Sequence, residues 1–284
     1  MRARYASTVA AMAIWLNGRV VDESDAVLSV FDHGLTVGDG VFETLNSING
    51  MPFALTRHLR RLERSAAGMG LPAPDQEVVR VAVAAVLADT SWPRGRVRVT
   101  LTAGPGPAGS QRGHDGLTLL VTSGPQSPAA ASSTITVVPW TRNERAATAG
   151  VKSTSYADNV IALAHATERG ASEAIFANTR GELCEGTGSN VFHVRDGRLL
   201  TPTLASGCLA GITRELVLEW CDEAVEEDAP IEVLRDAEEV FVVSTVRDVQ
   251  PVRACDGAQY PAPGPVTRRV QERWAEGVAG SLDP

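Results

Sequence analysis

Glu185-Gly186-Thr187-Gly188-Ser189-Asn190-Val191-Phe192 reads as a tight polar loop between two apolar strands, Ala174 to Ala177 before it and Val191 to Val194 after it. Its glycines permit a sharp reversal, while Glu, Thr, Ser and Asn gather a carboxylate, hydroxyls and an amide in one place. Gly186-Thr187-Gly188 alone is a weak signal, because no G-x-G-x-x-G follows a strand into a helix. The loop gains meaning from what stands 33 residues earlier. Lys152, in Gly150-Val151-Lys152-Ser153-Thr154-Ser155-Tyr156, is the one lysine of 284 residues; Lys and Arg together number 26, which leaves 25 arginines. Lys can lose its proton and attack a carbonyl, whereas Arg, with a pKa above ~12, cannot. Composition alone also allows an arginine-rich codon bias with one chance survivor.

Outward from these two stretches the chain reads as alternating short elements. Ala13 to Val21 forms two strands about an Asn17-Gly18 turn, and Val41 to Ile48 another after Gly38-Asp39-Gly40. Leu59, Leu62 and Ala66 recur at helical spacing between Arg57 and Met69, and Asp75 caps a second helix through Ala88. From Arg96 to Ala103 the alternation is strict: Val97, Val99, Leu101 and Ala103 share one face, Arg96, Arg98, Thr100 and Thr102 the other. Leu117 to Thr122 is a further strand. Gly124 to Ser133, rich in Ser, Pro and Ala, reads as a linker. Beyond it come a strand at Thr134 to Pro139 and a helix from Asp158 to Arg169, with Val160, Leu163, Ala164 and Thr167 facing inward. A helix from Ile212 to Ala224, a buried strand from Val240 to Ser244 and a last helix from Gly264 to Val278 follow. Without regular βαβ alternation, two α+β domains are expected rather than a doubly wound sheet. The expected divisions are a tail at 1–12, an N-terminal domain at 13–123, a linker at 124–133 and a C-terminal domain at 134–284.

The balance of charge, -8 net, argues against a nucleic-acid surface. No apolar run nears the ~20 residues that span a bilayer, and Met1 to Ala11 is too weakly apolar for a signal peptide. Cys184, Cys208, Cys221 and Cys255 lack metal-ligand spacing, so reduced thiols in a cytoplasmic protein are expected.

Two further stretches complete the chemistry. Gly211-Ile212-Thr213-Arg214 stands at a helix start, and Ser244-Thr245 ends an apolar strand; free N–H groups and hydroxyls of this kind hold phosphate. An amine nucleophile, a carboxylate and a phosphate cradle are what pyridoxal phosphate requires. In this arrangement the chain resembles the class IV (fold type IV) pyridoxal-phosphate enzymes, which include branched-chain and D-amino-acid aminotransferases and 4-amino-4-deoxychorismate lyase. The resemblance runs from about Ile14 to Arg273. It rests on Glu185 to Phe192, Asp196-Gly197, Thr201-Pro202, Gly211 to Arg214 and the sole lysine.

The resemblance implies two domains, a smaller N-terminal α/β one and a larger C-terminal one with a β-barrel-like sheet, paired as a homodimer. It implies that Lys152 binds the cofactor covalently and then serves as base and acid, and that Glu185 pairs with the ring nitrogen. Arg61, Ile212, Thr213, Ser244 and Thr245 would hold the phosphate, and Asn190 stabilise the loop. Tyr156 would lie near the ring oxygen or act as a core aromatic. For the substrate, Ala103 stands where D-amino-acid aminotransferases carry an arginine. Arg98 matches an arginine of branched-chain enzymes or is a solvated cation, and Arg247 resembles an arginine of some lyases. The expected reaction is that of 4-amino-4-deoxychorismate lyase, with an aminotransferase of branched-chain or D-amino acids as the alternative and a non-catalytic binding protein as the remote one. The loop from Ala103 to Asp115 is expected to contribute to the substrate entrance.

Overall fold

The structure, a computed structural model, describes residues 12–88, 90 and 92–284. The expected tail over residues 1–12 thus lies outside the described residues except for Met12. The first sheet contains β1 (Ala13–Leu16), β2 (Arg19–Val21), β3 (Gly40–Ile48), β4 (Met51–Pro52), β5 (Arg94–Thr102) and β6 (Thr118–Pro125), in the order β2-β1-β6-β5-β3-β4. Asn17 and Gly18, both at positive φ, make the hairpin turn the sequence predicts. A short α1 (His33–Thr36) precedes β3, and α2 (Leu55–Gly68) and α3 (Gln76–Leu87) follow β4. Asp75 caps α3 by accepting from the Glu77 and Val78 N–H groups. The expected alternation of β5 buries Val97, Val99 and Leu101 with Val41 and Leu45 of β3 and Leu59 and Leu62 of α2.

The second sheet begins at β7 (Ser133–Arg142). It continues with β8 (Glu173–Asn178), β9 (Leu183–Gly186), β10 (Asn190–Arg195), β11 (Arg198–Thr201), β12 (Ala224–Glu226), β13 (Glu239–Ser244), β14 (Asp248–Cys255) and β15 (Ala258–Gln259). Its main path runs β12-β11-β10-β13-β14-β7-β8-β9. Gly186 N–H donates to Ser189 O, so β9 at one edge turns directly into β10 near the other, which curls the sheet toward a barrel. Four helices accompany it: α4 (Ala157–Glu168), α5 (Ile212–Trp220), α6 (Val233–Asp236) and α7 (Pro265–Gly280).

Two readings of helices fail. In α4 the buried positions are Asn159, Ala162 and Ala166, while Val160, Leu163, Ala164 and Thr167 are exposed. The small residues let the helix lie close to Val138 and Phe176, and the larger apolar ones face outward. α5 stops at Trp220, because Ala224 is needed to pair with Leu199 as β12.

The two sheets are joined by specific contacts. Phe53 and Ala54 belong to the core of α5, α7 and β13. Arg57 bridges Glu215 and Glu219 of α5 at 2.7 Å. Asn46 donates to Thr245 O, and Arg94 pairs with Asp248. Among the described residues no helix is long and apolar enough to cross a membrane.

Candidate active site

Phe42, Thr44, Arg96 and Arg98 line a cavity of about 570 Å³ with Lys152, Glu185 and the turns of the second sheet. The register explains the wall: Thr44 pairs with Arg98 and Asn46 with Arg96, so the polar face of β5 turns toward the other sheet. Past its short pairing with β4, β3 has a free edge. There the Lys152 segment docks: Phe42 N–H donates to Lys152 O at 3.0 Å, and Thr154 N–H to Gly40 O at 2.8 Å.

Lys152 Nζ lies 4.5 Å from the centroid of the Phe42 ring. Burial, reinforced by the positive charge of Arg61, brings its pKa down to about 8. A usable fraction of the side chain is therefore a free amine near neutral pH. Glu185 accepts from Arg142 Nε at 3.1 Å and from Leu209 N–H at 2.9 Å. Burial raises its carboxyl pKa, with both donors and Lys152 opposing. Tyr156 packs edge-on against Phe42 at 5.3 Å and donates to Thr187 O at 3.3 Å; burial raises its pKa.

The phosphate-holding candidates also converge. Gly211 precedes α5 without a side-chain cap, so among the described residues the N–H groups of Ile212 and Thr213 face no competing side-chain acceptor. A Cβ on Gly211 would meet Asn190 Oδ1 at 1.9 Å, and Asn190 Nδ2 donates to Leu209 O at 2.9 Å. The strand thus fixes the loop that presents the helix end. Ser244 and Thr245 line the same cavity, and Ser244 Oγ is buried without a hydrogen-bond partner among the described residues. Arg61 is held by Glu43 through Nε at 2.8 Å and Nη2 at 2.7 Å, and its Nη1 donates to Ala210 O at 2.9 Å. An amine, a carboxylate, an uncapped helix start and an orphaned hydroxyl around one cavity fit pyridoxal phosphate.

Arg247 does not join them. Its guanidinium turns to Gln250 Oε1 at 2.6 Å, Ser172 O at 2.8 Å and the buried carboxylate of Glu173 at 3.4 Å. That carboxylate accepts from Thr187 N–H at 3.0 Å and Ser189 Oγ at 2.9 Å, so Arg247 balances the acid that shapes the polar turn. The 103–115 loop does not line the cavity either. Arg112 clamps it to Asp39 at 2.6 and 2.7 Å and to the Met69 and Gly70 carbonyls at 2.7 Å. Sequence reasoning missed Arg142 at the end of β7, Glu173 at the start of β8 and Glu43 within β3; a charged residue on the buried face of a strand was the available signal for Glu43.

The sequence profile of amino-transferase class IV matches residues 40–255. A D-alanine aminotransferase of Bacillus licheniformis is 33% identical over 92% of this chain and 95% of its own. The aminodeoxychorismate lyase of Bacillus subtilis is 30% identical over 87% and 88%. Among solved structures, a fold IV-transaminase from Curtobacterium pusillum superposes with a TM-score of 0.84 at 30% identity, covering 93% of this chain and 99% of its own. A hypothetical aminotransferase from Mycobacterium tuberculosis, solved in its PLP-bound form, gives 0.84 at 26% identity, covering 94% and 99%. With its mixed helices and curled sheets the chain has the two-domain α+β architecture of fold type IV, and it belongs to the class IV aminotransferase family of pyridoxal-phosphate enzymes.

Proposed function

We propose that this enzyme is a pyridoxal-phosphate-dependent aminotransferase whose amino donor or acceptor is a dicarboxylic acid. The carrying observation is the pair Arg96 and Arg98 on the cavity wall. Among the described residues neither is paired with a carboxylate, and Arg98 donates only to Thr100 Oγ1 at 3.2 Å while lying 3.8 Å over the Phe42 ring. Two guanidinium groups with free donors suit two carboxylates. The cofactor, when bound, would draw electrons from the substrate and acidify its Cα–H. Lys152 Nζ, as the free amine, would take that proton and hold it at Nζ. Glu185, held by Arg142 Nε and the Leu209 N–H, would pair with the ring nitrogen. Ile212, Thr213, Ser244, Thr245 and Arg61 would hold the phosphate, and Tyr156 limits the cavity beside Phe42.

Lysis of 4-amino-4-deoxychorismate is the second reading. Its substrate also carries two carboxylates for Arg96 and Arg98, and the Bacillus subtilis relative bears that name. The first choice passes to amino transfer because Arg247, the residue singled out for lysis, faces Glu173. The resemblance counts against the D-amino-acid reading, since Ala103 stands where that branch would carry an arginine.

The test is a panel of L- and D-amino donors with 2-oxoglutarate, run beside 4-amino-4-deoxychorismate. Glutamate formation supports amino transfer. Pyruvate released without any amino acceptor, and no glutamate, replaces it with lysis. Two copies are expected to pair through the exposed Val27, Val30, Phe31 and Leu35; sedimentation measures this. The free thiols suit a reducing compartment such as the cytoplasm.

A further inference from the structure

A carboxylate stands on the wrong face of β3. Val41, Glu43 and Leu45 all point toward α2, into the core built on Leu59 and Leu62, and Glu43 is 1% exposed. Pattern alone would put an aliphatic residue there. Burying an ion pair seldom adds stability, and an apolar replacement of similar volume is often as stable or more so. The charge therefore calls for a role other than stability.

Its contacts supply one. Glu43 receives Nε and Nη2 of Arg61, the inner edge of the guanidinium, in a two-bond grip. His58 Nδ1 reaches the same carboxylate at 2.7 Å from one turn earlier on α2. Burial lowers the pKa of His58, so the ring is neutral and Nδ1–H donates. Nη1 is thereby sent to Ala210 O, between the cavity-lining Leu209 and Gly211. A guanidinium has five N–H donors. With these three engaged, one on each terminal nitrogen stays open among the described residues, beside the start of α5.

We propose that Glu43 is a positioning residue: it holds Arg61 by its inner edge so that the outer edge meets an anion at the start of α5. The inference rests on the reading of Arg61 as a phosphate holder. Glu43 has a second effect on the site. Lys152 faces Arg61 on α2, Glu43 on β3, Arg98 on β5 and Glu185 on β9; the two arginines disfavour its ammonium form and the two acids favour it. Removing the Glu43 charge leaves the field of Arg61 unopposed.

Because Lys152 is the sole lysine, trinitrobenzenesulfonate reports its side chain alone once the α-amino signal is subtracted with Lys152→Ala. Cofactor-free Glu43→Gln, Arg61→Gln and the double variant are compared for inorganic phosphate affinity by calorimetry and for the pH midpoint of the lysine reaction. Glu43→Gln is expected to weaken phosphate about tenfold and to lower the midpoint by roughly one unit. The double variant should match Arg61→Gln in phosphate affinity and recover the wild-type midpoint or exceed it. A folded Glu43→Gln with wild-type affinity and midpoint overturns the proposal. So does a double variant that binds phosphate more weakly than Arg61→Gln, and this arm decides the matter if Glu43→Gln does not fold. Wild-type phosphate affinity in Arg61→Gln overturns the phosphate reading of Arg61 and this proposal together, whereas loss there with none in Glu43→Gln overturns this proposal alone.

Discussion

Lys152 Nζ lies 4.5 Å from the centroid of the Phe42 ring, so the chain's only side-chain amine stands against an aromatic face on the cavity wall. Burial, with Arg61 behind it, sets a pKa of about 8 against 10.5 for a free lysine. The trinitrobenzenesulfonate reaction of the cofactor-free protein should reach half its limiting rate near pH 8; a midpoint near 10.5 refutes an enclosed amine. Because the folded pKa lies below the unfolded one, the unfolded state binds more protons between these values. Stability therefore gains a contribution as pH rises through that window.

Arg98 and Phe42 form the other half of the wall. Arg98→Gln removes a charge without emptying the space. For a dicarboxylic partner KM should rise at least about tenfold, the equivalent of ~1.4 kcal/mol, while KM for a monocarboxylic partner changes by less than about threefold. Equal effects on both would assign Arg98 a general electrostatic role and remove it from recognition.

Arg247→Met tests the residue that sequence reasoning sent to the substrate. It strips the counter-ion from buried Glu173, which keeps its bonds from Thr187 and Ser189. A loss of about 2–3 kcal/mol is expected from the uncompensated charge, read as a lowered urea midpoint. KM for carboxylate substrates should stay within about twofold. The reverse pattern, intact stability with a raised KM, would bring Arg247 back to the cavity.

The contrast between Arg98 and Arg247 shows what a sequence can carry. Strict alternation in β5 gave Arg98 a face, and a face in an antiparallel sheet is a direction, so its place on the cavity wall was half legible. Arg247 sits on the turn between β13 and β14, where no period fixes direction, and a buried carboxylate 74 residues away captured it. Gly211, Glu185 and Lys152 were legible because their chemistry is rare and their neighbours are distinctive. The inward face of α4 was not, since the helix buries Ala162 and Ala166 for close approach and leaves Val160 and Leu163 outside. Hydrophobicity points to the buried face only where no second surface competes for it.

Glu43 provides the last test, by acid. Burial works to raise its pKa, but the charge and hydrogen bonds of Arg61, with His58, overcome this and hold it at about 2 against an ordinary 4.5. A depressed carboxylate contributes stability that is fully present above 4.5 and disappears as pH falls through 2. By linkage, wild type should lose about 2 kcal/mol from this group between roughly pH 6 and pH 3. Glu43→Gln has no such proton to take up, so its urea midpoint should start lower at the upper pH and fall less steeply over the same interval. Parallel slopes in the two proteins would mean that Glu43 titrates as a solvent-facing acid does, and the grip on Arg61 would have to be abandoned.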